Sequence, residues 1–388
     1  MITTEVTGGK INKNLYGGGK VSADTTKLTI SGGEIGQDVF GGICSSETKG
    51  ELTEANLTIS GGTFKHYVVG GSRVNAADGT TTHTTGIANL TISGGEFAGH
   101  FSDTDAGAAI FGAGYLNGTG SEAANVQYQV VESNVVISTD IAGAVYGGAF
   151  ASKSGYAAVD TANVTVVSGN IDRVLGGGWA QTRGVSKVGD VNISIEGGKV
   201  GFVYAGGGNA VDSVTEVTGD VVISINDGSA DYVFLGGRYI NSSIAGSVEL
   251  YLSGDAKEMI RISGYNGCGV DKTAGETQVF IDTDVTLDYL DYVDRLVIGE
   301  NNTLTVNELL LVDPEQHMVL ELNLGENGVL DMPESGDWVI MSGDALAGAY
   351  EQIEFRIGDD TFALGQQYGE TGNGFKWEDN SLKFGKLA

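Results

Sequence analysis

The chain is poor in residues that mark several protein classes. Its 388 residues include two prolines and two cysteines, and 21 basic residues stand against 50 acidic ones. So little proline excludes a Pro-rich linker or a collagen-like chain. No apolar run approaches the length of a membrane-spanning helix, so direct membrane insertion is not expected. The N-terminal MITTEVTGGK lacks the basic and apolar regions of a signal peptide, so any export signal is expected outside this sequence.

The shortage of basic residues gives a formal net charge of −29. Such a surface repels phosphate backbones and anionic lipids, so nucleic acid is a poor partner, while cations or neutral sugars suit it better. The acidity is also compatible with a plain role in solubility. Cys44 and Cys268 are predicted to lie several repeats apart, too far for a disulfide, and so few cysteines are compatible with the cytosol or with a bacterial surface.

Glycine, by contrast, is abundant, with 63 residues, and it recurs within a repeated motif. Residues 28–42 read LTISGGEIGQDVFGG, residues 57–71 read LTISGGTFKHYVVGG, and degenerate copies continue to about residue 264. Alternation places Leu28 and Ile30 on one face of a strand and Thr29 and Ser31 on the other. The glycine pair after this strand is predicted to form a turn, and so is the second pair, Gly41 and Gly42.

The repeat predicts an all-β fold. Short strands with a period of about 30 residues favour a single parallel β-helix, a solenoid of about nine to eleven coils in which each strand pairs with its copy in the next coil. A β-propeller is the main competitor, but the copies are shorter than typical blades. Residues 1–300 are interpreted as the repeat domain, and residues 301–388, where the motif is lost, as final coils with a small C-terminal β cap.

Two columns of residues recur at fixed places in the motif. A column of amide and carboxylate residues before the strands is predicted to mark one turn of every coil and to hydrogen-bond up the stack. An aromatic column precedes the second glycine group, either as a platform for sugar rings or as a ladder packed inside the coil or under a loop. These structural columns contain Asn56, Asn89, Asn134, Asn163, Asp190 and Asp220, and Phe40, Phe111, Tyr146, Tyr204 and Phe234, with Tyr16 at the start of the aromatic one.

No motif of zinc, serine-hydrolase or P-loop chemistry is present, so no catalytic residue is assigned and no cofactor is expected. Acid clusters at 103–105 and 282–294 leave weak Ca²⁺ binding open. Outward threonines at 29, 58, 91 and 165 raise an ice-binding alternative, but their column is broken. Specificity is expected in insertions at 72–88, 98–108 and 115–133. The candidate ligand-binding residues there are Arg73, Asn75, His83, His100, Asp103, Asp105, Tyr115 and Asn117.

The SGG and VΦGG motifs at 6–264, beside loops rich in Thr, Ala and Gly, resemble the passenger regions of large bacterial surface proteins of the autotransporter or adhesin type. The resemblance implies display at the cell surface or secretion, with loops that contact glycans or a host or neighbouring cell. We therefore expect a non-enzymatic structural or adhesive segment. A polysaccharide-cleaving enzyme is the alternative. The N-terminal edge is expected to meet an upstream domain or to associate end to end with another copy.

Overall fold

The part of the chain described below consists of β-strands, turns and irregular segments. A computed structural model describes residues 1–20, 22–46, 49–76, 81–98, 108–118, 125–256, 258–267, 275–299, 302–310, 318–323, 337–342, 352–370 and 372–387. These residues contain no α-helix, and therefore no helix that could cross a membrane. The all-β prediction is confirmed. The strands form three sheets whose neighbours are mostly parallel, in a solenoid-like arrangement.

Sheet 1 is the largest, with 16 strands. Its longest strands run through the LTI segments of the motif, and each pairs with the equivalent strand of the next repeat. Its strands are β1 (Ile2–Ile11), β3 (Ala23–Ile35), β6 (Lys49–Phe64), β9 (Thr82–Phe97), β12 (Tyr128–Ser138), β15 (Tyr156–Ser168), β18 (Val185–Ile195), β21 (Val214–Val217), β22 (Val221–Ile225), β24 (Ser242–Ile244), β25 (Val248–Leu252), β27 (Thr277–Ile281), β29 (Arg295–Ile298), β31 (Met318–Leu322), β33 (Ile353–Ile357) and β34 (Asp360–Phe362).

Sheet 2 has 15 strands and contains the residues that precede the second glycine group. Its strands are β2 (Leu15–Tyr16), β4 (Val39–Phe40), β7 (Val68–Val69), β10 (Ala108–Phe111), β13 (Ile141–Tyr146), β16 (Asn170–Leu175), β19 (Lys199–Tyr204), β23 (Ser229–Phe234), β26 (Glu258–Ser263), β28 (Val285–Asp291), β30 (Leu304–Leu310), β32 (Trp338–Ser342), β35 (Gln367–Tyr368), β36 (Asn373–Glu378) and β37 (Ser381–Lys386).

Sheet 3 has six short strands, which follow the second glycine group of successive repeats. Its strands are β5 (Cys44–Ser45), β8 (Arg73–Asn75), β11 (Tyr115–Asn117), β14 (Phe150–Ser152), β17 (Trp179–Gln181) and β20 (Gly208–Asn209).

The alternating pattern of the motif builds the core. Leu28 and Ile30 are fully buried, whereas Ser31, which points to the other side of the same strand, is exposed, as predicted. Leu28 lies opposite Leu57 in the next repeat, and Leu57 lies opposite Leu90. Identical apolar side chains therefore stack on one another in one continuous interior, and burial of their apolar surface stabilises the stack.

The first glycine pair of the motif does not end the strand, so the predicted turn is wrong. Strand β3 continues through Gly32 and Gly33, and its register with β6 shifts there as in a β-bulge. Gly33 has a φ of 98°, a backbone conformation that residues with a Cβ rarely adopt. The chain thus bends without breaking the parallel ladder. The second pair, Gly41 and Gly42, lies in a bend between β4 and β5, as predicted.

The C-terminal region differs from the repeats. The register offset between neighbouring sheet 1 strands falls from 29 residues (Val248 opposite Thr277) to 17 (Gln278 opposite Arg295). After β33 the pairing becomes antiparallel, between β33 and β34 and among β32, β37, β36 and β35. This antiparallel segment lies where a C-terminal cap was predicted, and it extends sheets 1 and 2 beyond their last parallel strands.

The amide column is confirmed for its asparagines and wrong for its aspartates. From Asn89 onward, each asparagine donates an Nδ2 hydrogen to the Oδ1 atom of the asparagine before it, over 2.8–3.0 Å, in the series Asn56, Asn89, Asn134, Asn163 and Asn192. These residues lie inside long strands, not at a turn as predicted.

The aspartates miss this column because of the strand register. Asn163 lies opposite Asn192, and Asp190 lies opposite Thr161. Asp190 and Asp220 form their own column, in which each carboxylate accepts a backbone N–H from the next repeat. Asp190 accepts the N–H of Asp220 at 3.1 Å, and Asp220 accepts the N–H of Ser247 at 2.8 Å.

Replacement of Asn134 by alanine is expected to lower the free energy of unfolding by about 1 kcal/mol. The substitution removes two hydrogen bonds of the amide column. Water makes up for part of their loss, because the side chains are only partly buried. Urea denaturation measures the change. Thr58→Ala, at an exposed position on the same face, should stay within about 0.5 kcal/mol. Equal effects of the two substitutions would contradict a stabilising role for the amide column.

Candidate functional site

Four of the predicted ligand-binding residues lie together on sheet 3. Arg73 on β8 lies opposite Tyr115 on β11, and Asn75 lies opposite Asn117 in the same pair of strands. The Nδ2 atom of Asn117 donates to the Oδ1 atom of Asn75 over 3.4 Å. These four residues were predicted on loops, but they lie on two short neighbouring strands.

Arg73 is held within its own cluster. Its guanidinium carbon lies 5.5 Å from the centre of the Tyr115 ring and 5.8 Å from that of Phe40. Its Nη1 atom is 3.9 Å from a carboxylate oxygen of Asp38, and only 24% of the side chain is exposed. Burial raises the pKa of the Asp38 carboxyl, an effect that Arg73 and His66 oppose. The cluster pairs Arg73 with Asp38 and offers little open surface, but the Nε atom of Arg73 is buried without a hydrogen-bond partner among the described residues.

The other predicted ligand residues do not join this cluster. His83 was expected in a Thr-rich loop, but it lies within β9 and is 3% exposed, so the predicted loop placement is wrong. Its imidazole packs against Gly50 of the preceding repeat, where glycine leaves room for the ring. His100, Asp103 and Asp105 lie outside the described residues, as does most of the 98–108 insertion.

The predicted aromatic column is present, and it is buried except at its first member, Tyr16, which is half-buried. Phe111 stacks on Tyr146 with ring centres 4.8 Å apart, and it meets Phe150 of sheet 3 edge-on at 5.4 Å. These rings form a second hydrophobic cluster between the outer face of sheet 2 and sheet 3, separate from the main core. Their position favours a packed ladder over a sugar platform. The ladder consists of Tyr16, Phe40, Phe111, Tyr146, Tyr204 and Phe234, with Val69 and Leu175 in register between them.

A second outward column of sheet 2 lies two residues before this ladder and is more open. We call it the aromatic stripe. Phe202 and Tyr232 are half-buried and stack with ring centres 4.8 Å apart, and Tyr289 is 40% exposed. The five members are neighbours in register on successive strands: Arg173, Phe202, Tyr232, Arg261 and Tyr289.

Arg261 is fixed within the stripe by a buried carboxylate. Asp291 is fully buried and accepts a hydrogen bond from the Nε atom of Arg261 at 3.2 Å, and its second oxygen contacts Nη2. These hydrogen bonds raise the pKa of the Arg261 guanidinium. The guanidinium carbon also lies 5.9 Å from the ring centre of Phe234. The stripe is thus a rigid surface in which a planar cation continues the row of rings.

A groove of about 690 Å³ lies beside the stripe. Three of its lining residues, at positions 231, 260 and 288, come directly before stripe residues in their strands, so the groove and the stripe share a border. Ser229 and Thr286 add hydroxyl groups. Lys199 forms an ion pair with Asp231 at 2.8 Å. The carboxylates that line the groove belong to Asp231, Asp255, Glu258 and Asp288.

Carboxylates of the acidic run at 282–294, predicted as cation ligands, bind separate backbone groups and do not converge on one point. Asp284 accepts the backbone N–H of Thr303 at 2.8 Å, and Asp294 accepts that of Thr277 at 2.8 Å. No three or more His, Cys, Asp or Glu side chains in the described part of the chain are arranged to hold a metal ion. The Ca²⁺ prediction therefore gains no support here, and at Asp103 and Asp105 it stays a prediction.

The outward threonine column is interrupted, as predicted. Thr29, Thr58 and Thr91 lie in register on successive strands, but Val136 follows them before Thr165. This short row does not form the extended hydroxyl array that ice binding would require.

The stripe and the groove were not among the predicted site residues. Their signal in the sequence is an offset: each stripe residue stands two positions before the ladder position of its repeat, hence on the same face of the strand. Comparisons of the chain with protein-family models, curated proteins and solved structures found no match.

Proposed function

We propose that the chain is one parallel β-helix that serves as a non-enzymatic structural or adhesive segment of a bacterial cell-surface or secreted protein and binds glycans. In this proposal about nine to eleven coils of roughly 30 residues form the solenoid, and residues 301–388 supply the final coils and the cap. Ten strands follow one another along the main path of sheet 1 from β1 to β27, with β21 and β24 beside that path, and their stacking before the register offset falls supports this count.

The aromatic stripe beside the acidic groove carries the binding part of the proposal. Phe202 and Tyr232 stack face to face, so the stripe offers half-exposed apolar ring edges to a bound sugar, while carboxylates and hydroxyls along one side accept and donate hydrogen bonds to sugar hydroxyls. A rigid sheet also holds these groups in place, which limits the entropy lost on binding. The cluster around Arg73 and Tyr115 stays a predicted contact region. It ranks second to the stripe because it is more enclosed.

Loss of a stripe ring is expected to weaken glycan binding. Tyr232→Ala removes one half-exposed ring of the stripe together with its hydroxyl group, and should raise the Kd for a bound glycan by a factor of about ten. A glycan array on the full chain, followed by titration calorimetry with the best-bound glycan, measures the change. Tyr251→Ala is the matched control, because Tyr251 is 37% exposed and stacks on Phe280, but on sheet 1. It should leave binding unchanged.

Two outcomes would contradict the proposal. Equal losses in the two variants would remove the stripe as the binding surface. Appearance of new reducing or unsaturated ends when the chain is incubated with polysaccharides would instead support a polysaccharide-cleaving enzyme.

A further inference from the structure

We propose that a second copy of this chain docks on the N-terminal end of the stacked strands, with the two β1 strands pairing antiparallel across a two-fold axis. Strand β1 pairs with β3 on one side and with no described strand on the other. Its outer edge therefore presents backbone N–H and C=O groups that readily accept a further strand. The parallel stack of this protein does take an antiparallel strand at an edge, because β34 pairs with β33 in this way.

The apolar core is open at this end of the stack. Val6, Ile11 and Leu15 of the first repeat are half-buried, although the residues opposite them in the second repeat are fully buried. The opposed pairs are Val6 with Ile30, Ile11 with Ile35 and Leu15 with Val39. Each interior position is thus covered on one side only in the first repeat. A partner that lies across this end would bury these side chains, and burial of their apolar surface would stabilise the contact.

The other end of the core is closed by rings within the described residues. Phe375 and Phe384 of the antiparallel segment are fully buried. Phe362 of sheet 1 meets Tyr368 of sheet 2 edge-on with ring centres 5.7 Å apart, and Tyr368 lies 6.0 Å from Phe384. A head-to-tail contact would set the open end against this closed one, whereas a head-to-head contact joins two open ends. Such an isologous contact stops at a dimer and builds no fibre.

The charge distribution also favours a contact between the two N-terminal ends. Residues 1–20 contain three lysines and one glutamate, whereas the rest of the chain contains 18 basic and 49 acidic residues. Two copies repel each other through their acidic parts, and the repulsion is weakest where the first repeats meet, because these carry no excess of acid. The second copy therefore fits this end better than any acidic surface of the chain.

The sequence of β1 selects one register for the pair. Its regular part is Ile2–Val6, before the register with β3 shifts. A two-fold axis at Thr4 places Ile2 of one copy opposite Val6 of the other, and opposite residues of an antiparallel pair share a face and pack together. Both side chains lie on the inner face of the strand, and Ile2 is 40% exposed. An axis at Glu5 would instead oppose two carboxylates, which is unfavourable.

Sedimentation equilibrium of the full chain measures the association. We expect a dimer with a Kd on the order of 10 μM, and tighter association at higher salt because the repulsion between the acidic parts is screened. Ile2→Asp places a carboxylate at two equivalent positions of the contact and should raise the Kd at least about a hundredfold. Val211→Asp, at an 87% exposed position between β20 and β21, is the matched control and should leave the Kd unchanged.

Cross-linking tests the orientation of the two copies. Thr4→Cys brings two thiols together at the two-fold axis, so mild oxidation should join the chains through a disulfide. Asp360→Cys, at an exposed position of β34 near the other end, should not form this cross-link. The unsubstituted chain, which contains Cys44 and Cys268, gives the background on a non-reducing gel.

Three outcomes would overturn the proposal. A chain that stays monomeric at about ten times the expected Kd would leave the edge of β1 to a different partner. Equal affinities in Ile2→Asp and Val211→Asp would place the contact on another surface. Efficient cross-linking of Asp360→Cys would mean a head-to-tail contact. If circular dichroism shows that Ile2→Asp disturbs the fold, the presence or absence of the Thr4→Cys cross-link decides.

Discussion

Replacement of Phe111 by alanine is expected to lower the free energy of unfolding by about 3–5 kcal/mol. Phe111 is fully buried between sheets 2 and 3, where it stacks on Tyr146 at 4.8 Å and meets Phe150 edge-on at 5.4 Å. The substitution leaves a cavity lined by rigid rings that cannot collapse into it, and it also removes the favourable ring geometry. Chemical denaturation followed by circular dichroism measures the loss.

Two controls separate packing from ring chemistry. Phe111→Leu keeps most of the volume, as Leu175 does at the same ladder position, and should cost only about 1–1.5 kcal/mol. Phe202→Ala, on the half-exposed stripe two residues before the ladder, should change stability less than Phe111→Ala while weakening glycan binding. A stability loss in Phe202→Ala as large as that in Phe111→Ala would show that the stripe is a packing element and not a binding surface.

This contrast between ladder and stripe marks what the sequence could predict. The alternation in LTIS was enough to place Leu28 and Ile30 in the core, and the repeat was enough to predict parallel pairing. The ladder was also visible, because its residues all precede a glycine group. The stripe residues are not followed directly by a glycine group. Phe202, Tyr232 and Tyr289 share only a fixed offset from the ladder, and arginines occupy the same place in other repeats, so aromatic character alone did not mark them as one surface.

The errors in the sequence reading have the same origin. Gly32 and Gly33 were expected to form a turn because paired glycines usually do so, but stacking of β3 on β6 keeps the strand continuous, and the glycines form a bulge instead. Asp190 was aligned with Asn163 from its place before an apolar run. The true partner, Asn192, lies two residues later, a shift that preserves the face and so escapes a pattern of alternation. His83 sits in a polar stretch that sequence alone favours as a loop.

The close stacking of backbones at the second glycine group predicts that Gly41→Ala destabilises the chain by at least about 3 kcal/mol. A methyl group at this position would meet the carbonyl oxygen of Gly70 in the next repeat well inside contact distance, and it would lie 3.0 Å from the Cβ atom of Leu57. The obstacle is backbone, not the end of a flexible side chain, so relief requires movement of the parallel strands themselves. The midpoint of urea denaturation measures the effect.

The chain contains a matched control for this substitution at another glycine of the same kind of turn. An added methyl group at Gly19, in the first repeat, would meet no atom within 4 Å, so Gly19→Ala should change the free energy of unfolding by no more than about 0.5 kcal/mol. Because each repeat contacts chiefly its neighbours, Gly41→Ala should loosen the coils around residues 41 and 70 before distant ones. Hydrogen exchange would then rise near these residues and stay unchanged near β25. An unaltered midpoint together with unaltered exchange would mean that the turn can widen freely, and that glycine is not required there by backbone stacking.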